Sequence, residues 1–451
     1  MAQQTTDPVR LPPGPRLPKA AQAGAFLLNR RRGLRAVADR YGHAVTLNLP
    51  IFGQTVALSD PALIKEVFTA GPDLVGRAGN LGQIFGPGST FSLDGEQHKQ
   101  RRKLLIPAFH GTRMRGYEGL IEEEVLRETA HWPDGAEFPT MPSMMRITVK
   151  AILRAVFGAE GALLDELADK LPKAVESAAQ QAVLPPFLRV DLGPWSPWGR
   201  VQRLRRRYDE IIAELIAIAL ADPDFEQRED ILSLLLRARY PDGSAITHEH
   251  IADELLTLLA AGHETTATTL AWAFERIRRR PDLLSRLSEE AAAGRGELRQ
   301  AVIWEVQRNR PVVDLTIRVA RVPIQLGPWV LPAGTHLIVA IGLTHEDPAN
   351  FDEPDGFTPD RFLGGHPDTN LWIPFGGGVR RCPGAAFANM EMDTTLRTVL
   401  TRFDIEPTES PAEKIHSRGI ATAPADGGRV VVRRRAVVAP DVVAAAQNGG
   451  S

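Results

Sequence analysis

From Glu96 to about Leu298 the apolar residues recur at helical spacing with little interruption. A chain with that pattern folds around packed helices and leaves sheet to its ends. The segments His98 to Ile106, Leu120 to Ala130, Met144 to Val156, Arg200 to Leu220 and His248 to Arg279 read as helices. Short alternating runs lie outside this block. Ala44 to Leu49 and Gln54 to Leu58, separated by Gly53, predict a hairpin, and Ser59-Asp60-Pro61 predicts the cap of a helix reaching about Thr69. Leu11 to Pro18 is a proline cluster that predicts extended chain. Leu74 to Phe91 is glycine-rich and aperiodic, which predicts a long functional loop. Leu315 to Ala320, Ile324 to Leu326, His336 to Ala340 and Arg429 to Arg434 predict strands. The expected fold is mostly α with a small β region. With no repeat and no linker, one domain is expected over residues 11–436, between a flexible N-terminus (1–10) and a flexible tail (437–451).

Composition removes several function classes. Lys and Arg number 53 against 55 Asp and Glu, a net charge of -2 that argues against a nucleic-acid binder. The one cysteine, Cys382, forbids an intrachain disulfide and any multi-cysteine metal site, and it suits a reducing compartment. No apolar run approaches the roughly 18 residues of a membrane span, and the N-terminus lacks a signal-peptide pattern. A cytoplasmic protein with no membrane span is expected.

Cys382 sits in Phe375-Gly-Gly-Gly-Val-Arg-Arg-Cys-Pro-Gly384. A lone cysteine in a glycine turn is most often a buried, inert thiol. Here three glycines allow a backbone to approach a flat partner closely. Pro383 suits the first position of a helix over Ala385 to Leu400, which puts Cys382 at a helix N-terminus. Arg380 and Arg381 add positive charge. A thiolate held against a planar partner is what a thiolate-ligated haem requires. The segment resembles the haem-binding signature of the cytochrome P-450 family, matched by Phe375, Gly376, Gly378, Arg380, Cys382 and Gly384. The resemblance implies a single-domain cytochrome P-450 fold holding haem b, with Cys382 as axial ligand to the iron. It also implies Arg380 on a propionate and Phe375 near the sulfur.

Further segments carry the same resemblance. Glu305 and Arg308, taken alone, are a helical i,i+3 ion pair worth a few tenths of a kcal/mol. They match the family's Glu-x-x-Arg motif, and Phe357-Thr-Pro-Asp-Arg361-Phe362 matches its partner, with Asp360 in place of the more usual Glu. Glu305, Arg308 and Arg361 are then expected to form a buried brace for the haem loop. The helix from His248 carries Ala260-Ala-Gly-His-Glu-Thr-Thr-Ala-Thr-Thr269, whose Gly and four Thr are poor mid-helix choices. Ala260, Ala261 and Gly262 are read as a flat face for a macrocycle, beside the acid of Glu264 and the hydroxyl of Thr265. His-Glu-x-x-His fails because position 267 is Ala. His98 and Arg102, four apart on one helix face, match family positions for a propionate, as does Arg318.

The family resemblance spans nearly the whole chain. It implies haem-thiolate monooxygenation, in which one atom of O2 enters an organic substrate and the other leaves as water. It makes Glu264 and Thr265 the proton-handling pair. The chain carries no Walker-type loop or Gly-x-Gly-x-x-Gly fingerprint, so electrons are expected from a ferredoxin and ferredoxin reductase, attracted by Lys99, Arg101, Lys103 and Arg381. The expected pocket wall is Gly79 to Phe91, Leu184 to Leu188, Ala260, Ala261, Val312, Val313 and Ile420, which suits a lipid, steroid, terpenoid or polyketide-like substrate. A peroxygenase or isomerase on the same haem, or a non-catalytic haem or lipid binder, are the alternatives.

Overall fold

The computed structural model describes residues 1–435 apart from 29, 51, 80, 81, 110, 112, 183–188, 194, 419 and 420. The expected pocket residues Leu184 to Leu188 and Ile420, and the tail 437–451, lie outside the described residues. The helix His248–Ile277 organises the rest. Thr247 caps it by accepting the His250 N–H at 3.2 Å. Twenty-two of its thirty residues are buried, so it is a core element and not an amphipathic surface helix. Met141–Phe157 packs along it, and Gly262 permits the close approach: a Cβ there would lie 3.2 Å from Ile152 Cγ1. Arg113–Thr129, Glu297–Asn309 and Ala385–Arg402 complete the main core, through residues such as Ile121, Val302 and Leu396.

Ala162–Ala182 and Pro197–Ala221 pack on each other and on the central helix. The first of these was missing from the expected helices. It carries Pro172 in its interior, which interrupts the helical reading.

The β region is small, as expected. A five-stranded sheet runs in the order Ala44–Leu49, Gly53–Leu58, His336–Val339, Thr316–Ala320, Val75–Arg77, with only the second and third strands parallel. Asp60 caps Pro61–Thr69, accepting from the N–H groups of Ala62 and Leu63 at 2.7 and 3.0 Å. Within the expected long loop lie the strand Val75–Arg77 and a helical turn, Gly82–Phe85. A late hairpin, Ile415–Arg418 with Ala421–Pro424, was not foreseen. The first ten residues are not a free tail. Gln3–Gln4 pairs antiparallel with Ile324 and Gln325, Arg10 bridges Val330, and Ala2 is buried.

Candidate functional site

The Cys382 loop is held from two sides. The Cys382 N–H donates to Phe375 O at 2.9 Å, which closes the loop on itself, and Phe375 meets Trp372 edge-on at 5.9 Å. The glycines serve a neighbour within the fold. A Cβ on Gly377 would meet the Phe68 ring at 2.2 Å, and one on Gly378, at φ +64°, would meet Phe68 O at 1.9 Å. Two of the three glycines are therefore needed to seat the loop on Pro61–Thr69. Pro383 also lies two residues before the helix, which begins at Ala385 after its cap Gly384. The half-buried Cys382 thiol is pushed up by burial, against the opposing pull of the Gly384 N–H and of Arg102 and Arg381. The protein's own charges therefore do not by themselves make it a thiolate.

Basic groups crowd the same region. His98 is buried on Gly95–Leu105, and burial together with Arg380 and Arg102 pushes its pKa down to about 4, so its ring is neutral. Arg102, one turn on, is half-buried and is lowered by burial, with Cys382 among its electrostatic neighbours. Arg318 stacks on Phe68 at 6.0 Å and, among the described residues, donates to Thr316 Oγ1 and Ile317 O; burial and Arg380 push it down to about 10. Neither Arg102 nor Arg318 has an ion-pair partner among the described residues. Arg380 does: it donates to Asp94 Oδ1 at 2.8 Å and to Leu93 O at 2.7 Å. Asp94, which sequence reasoning missed, also pairs with Arg321 and accepts the Gly95 N–H at 2.9 Å. Burial pushes its carboxyl up, but the Arg380 hydrogen bond and its other partners bring it below the ordinary value.

The distal stripe on the central helix is narrower than the sequence suggested. Successive helical residues point about 100° apart, so Ala260, Ala261 and Gly262 cannot share a face. Gly262 faces Ile152 and Ala260 is buried, whereas Ala261 is exposed and Thr265, one turn on, is half-exposed. Thr265 Oγ1 donates to Ala261 O at 2.8 Å, leaving its lone pairs available. Glu264 turns aside and accepts from Arg418 Nε at 3.0 Å, and Arg418 also lies 3.7 Å from Glu176. His263 packs inward, its Nδ1 2.8 Å from Leu259 O.

The brace lies in Glu297–Asn309. Arg308 grips Glu305 at 2.7 and 2.8 Å and donates to the carbonyls of His345, Pro354 and Gly356 at 2.8–2.9 Å. Glu305 also accepts the Thr358 N–H at 2.8 Å and stands 3.3 Å from Arg361. His345, unforeseen, accepts the Ile373 N–H at Nε2 and bonds Arg308 O through Nδ1, so it is a neutral Nδ1–H imidazole. Burial and Arg308 push its pKa down to about 3. Asp360 stands outside, pairing with Arg286 at the surface, so its difference from the usual Glu leaves Glu305 and Arg308 untouched.

Two further expectations change. Arg101 is 1% exposed and donates to Glu254 at 3.2 Å, Gly88 O at 2.6 Å and Tyr240 Oη at 2.9 Å. It cannot present charge to a partner, while Lys99, Lys103 and Arg381 are exposed. In the expected pocket wall, Val312 is buried and Val313 half-buried, and Val312 O holds the Thr422 N–H of the late hairpin at 2.8 Å. Phe91 stands 40% exposed, edge-on to Phe85.

The residues present fit a flat, dianionic, thiolate-ligated group. A half-buried basic cluster has one internal carboxylate, the thiol lies beside it, and an exposed alanine opens a stripe in a mostly buried helix. Among the described residues, no cluster of three or more His, Cys, Asp or Glu offers a competing metal site, and no helix is long and apolar enough to cross a membrane. The family model described as Cytochrome P450 matches residues 12–428. Cytochrome P450 138 of Mycobacterium tuberculosis is 53% identical over 429 residues, covering 95% of this chain and 97% of its own. Cytochrome P450 135B1 of the same organism is 36% identical over 467 residues, covering 99% and 96%. The solved structure titled Retinoic acid bound cyanobacterial CYP120A1 superposes with a TM-score of 0.83 at 23% identity, covering 95% of this chain and all of that one.

Proposed function

The chain belongs to the cytochrome P450 family of haem enzymes, and on that premise we propose that it is a haem-thiolate monooxygenase. It places one oxygen atom of O2 into a hydrophobic organic substrate and draws electrons from a ferredoxin and its reductase. One catalytic domain over residues 11–436 holds haem b, and the single thiol suits a cytoplasmic setting. The observation that carries the reading is the basic cluster beside Cys382, in which Arg102 and Arg318 have no ion-pair partner among the described residues.

The haem, when bound, supplies the O2 chemistry. Cys382 would supply its sulfur ligand, as the thiolate form of the buried thiol. Arg102, Arg318 and neutral His98 would hold the propionates as hydrogen-bond donors. Arg380 would join them with its charge already shared with Asp94. Exposed Ala261 would leave room for the group against the central helix, and Thr265 Oγ1, one turn on, would accept a hydrogen bond from water and could hand a proton on. Glu264 cannot share the Thr265 face and is held by Arg418, so it serves as a relay from solvent only when that pair opens. Lys99, Lys103 and Arg381 form the electron-donor face, without Arg101.

The test is turnover of a substrate found by optical-shift screening of lipids and terpenoids. We expect product to track NAD(P)H consumption with surrogate ferredoxin and reductase. In Thr265→Ala, haem and substrate binding should persist while reducing equivalents divert to peroxide. Product formed only with added hydrogen peroxide would assign a peroxygenase, and none under either condition a haem or lipid binder.

A further inference from the structure

A second group of arginines with unmet hydrogen bonds lies near the C-terminal end of the central helix. At its centre is Trp272, fully buried, whose Nε1–H donates to Thr422 O of the late hairpin at 3.1 Å. Two guanidiniums lie over this one indole ring. Arg276, a turn further along the same helix, stands at 5.9 Å, and Arg310, just past Glu297–Asn309, at 5.4 Å. Like charges gathered on one ring repel each other, and the ring face offsets their charge only in part.

The carboxylate beside them is already engaged. Glu275, fully buried, pairs with Arg276 and, at 2.7 Å, with Arg279, and it accepts the Glu413 N–H at 2.9 Å. Arg310 has no ion-pair partner among the described residues. Its Nη1 donates to Asn309 O and Oδ1 at 2.8 and 2.7 Å, while its Nε is buried without a partner. Arg276 is 9% exposed, and its Nη2 is likewise buried without a partner. Burial and the charges of Arg276 and Arg31 push Arg310 down to about 9.

We infer that Arg276 and Arg310 form a binding site for a chloride-sized inorganic monoanion. Water would meet the two free N–H groups but would leave the Arg310 charge unanswered. Arg310 is one unpaired charge, so a monoanion balances it and a phosphate dianion does not. The burial of Trp272 and Arg276 selects a small ion over an organic acid, and half-buried Arg310 gives the ion its way in. Pro311, next in the chain, accepts the Thr422 hydroxyl at 2.9 Å. The ion therefore fastens the central helix to the base of the late hairpin. The site uses none of the residues assigned to the haem, and the inference does not depend on the proposed reaction or its substrate.

Two measurements test it. Crystals of the haem-loaded protein soaked in sodium bromide should show an anomalous peak within hydrogen-bonding reach of Arg276 Nη2 and Arg310 Nε. In urea unfolding of the haem-loaded protein, followed by helical circular dichroism, the midpoint should rise by about 0.3 M when chloride replaces gluconate at fixed ionic strength. Haem occupies the separate basic cluster in this sample, so Arg102 and Arg318 do not supply the effect. Arg310→Met should abolish the chloride effect, whereas Arg200→Met, at an exposed arginine, should keep it. The inference is overturned by bromide-soaked crystals that hold only water between the two arginines, or by equal midpoints in the two salts. It is overturned equally by Arg310→Met protein that keeps the chloride effect of the parent.

Discussion

The Glu305–Arg308 brace and the basic cluster around His98 are both charged and largely buried, yet they are built in opposite ways. In the brace the arginine has a carboxylate and three carbonyls, and the carboxylate has in addition a backbone N–H and Arg361 nearby. In the cluster, Arg102 and Arg318 have no ion-paired carboxylate among the described residues, and Arg380 shares Asp94 with Arg321. A saturated network specifies a structure, whereas an unsaturated one requires a ligand.

The largest effects should separate the two regions. Glu305→Ala leaves Arg308 buried without its counter-ion, which costs about 3–5 kcal/mol. In urea unfolding of haem-free protein the midpoint should fall steeply. Arg318→Leu, by contrast, removes a cation that nothing balances, so the haem-free midpoint should hold or rise by about 1 kcal/mol while haem retention falls. If both variants unfold alike, the distinction between brace and site is lost.

A neighbouring contrast tests exposure. Arg101→Glu sets an acid against buried Glu254 and should destabilise by about 3 kcal/mol or more. Lys103→Glu, two residues on, should leave stability within about 0.5 kcal/mol and slow reduction by ferredoxin, most clearly at low salt. Equal stability of the two would contradict the burial of Arg101.

These contrasts also show what the sequence could and could not reveal. Helix periodicity, the Asp60 cap and the cysteine motif are local signals, and the elements followed them. Which of the adjacent basic residues 101, 102 and 103 turns inward depends on Glu254, more than 150 positions away, and no local pattern contains it. The same holds for Arg418 on Glu264, and for Phe68 beneath Gly377 and Gly378. Pro172 hid a helix because the proline signal opposed a period that packing sustains.

Smaller effects should appear with pH. His98 is held down to about 4 from its ordinary 6.5, so the unfolded chain takes up the proton first as pH falls. Its contribution is whole above about pH 6.5 and is lost as pH falls toward 4, by about 3 kcal/mol at most. His345, held at about 3, acts in the same direction. A bound dianion should raise the His98 pKa and leave that of His345 in place, so haem should blunt the acid loss only in part. In His98→Gln the haem-dependent part should vanish; its persistence would move the anion away from His98.

The account rests most heavily on Cys382 as the ligand beside an unsaturated basic cluster. The direct measurement is the reduced carbon monoxide difference spectrum of the parent and of Cys382→Ser, with helical circular dichroism on the same samples. The parent should show the red-shifted Soret band of a thiolate haem. The variant should lose that band and keep its helical signal, since the loop is closed by backbone contacts and glycine packing that the substitution spares. A thiolate-type band in Cys382→Ser, where no second cysteine exists, would contradict the assignment.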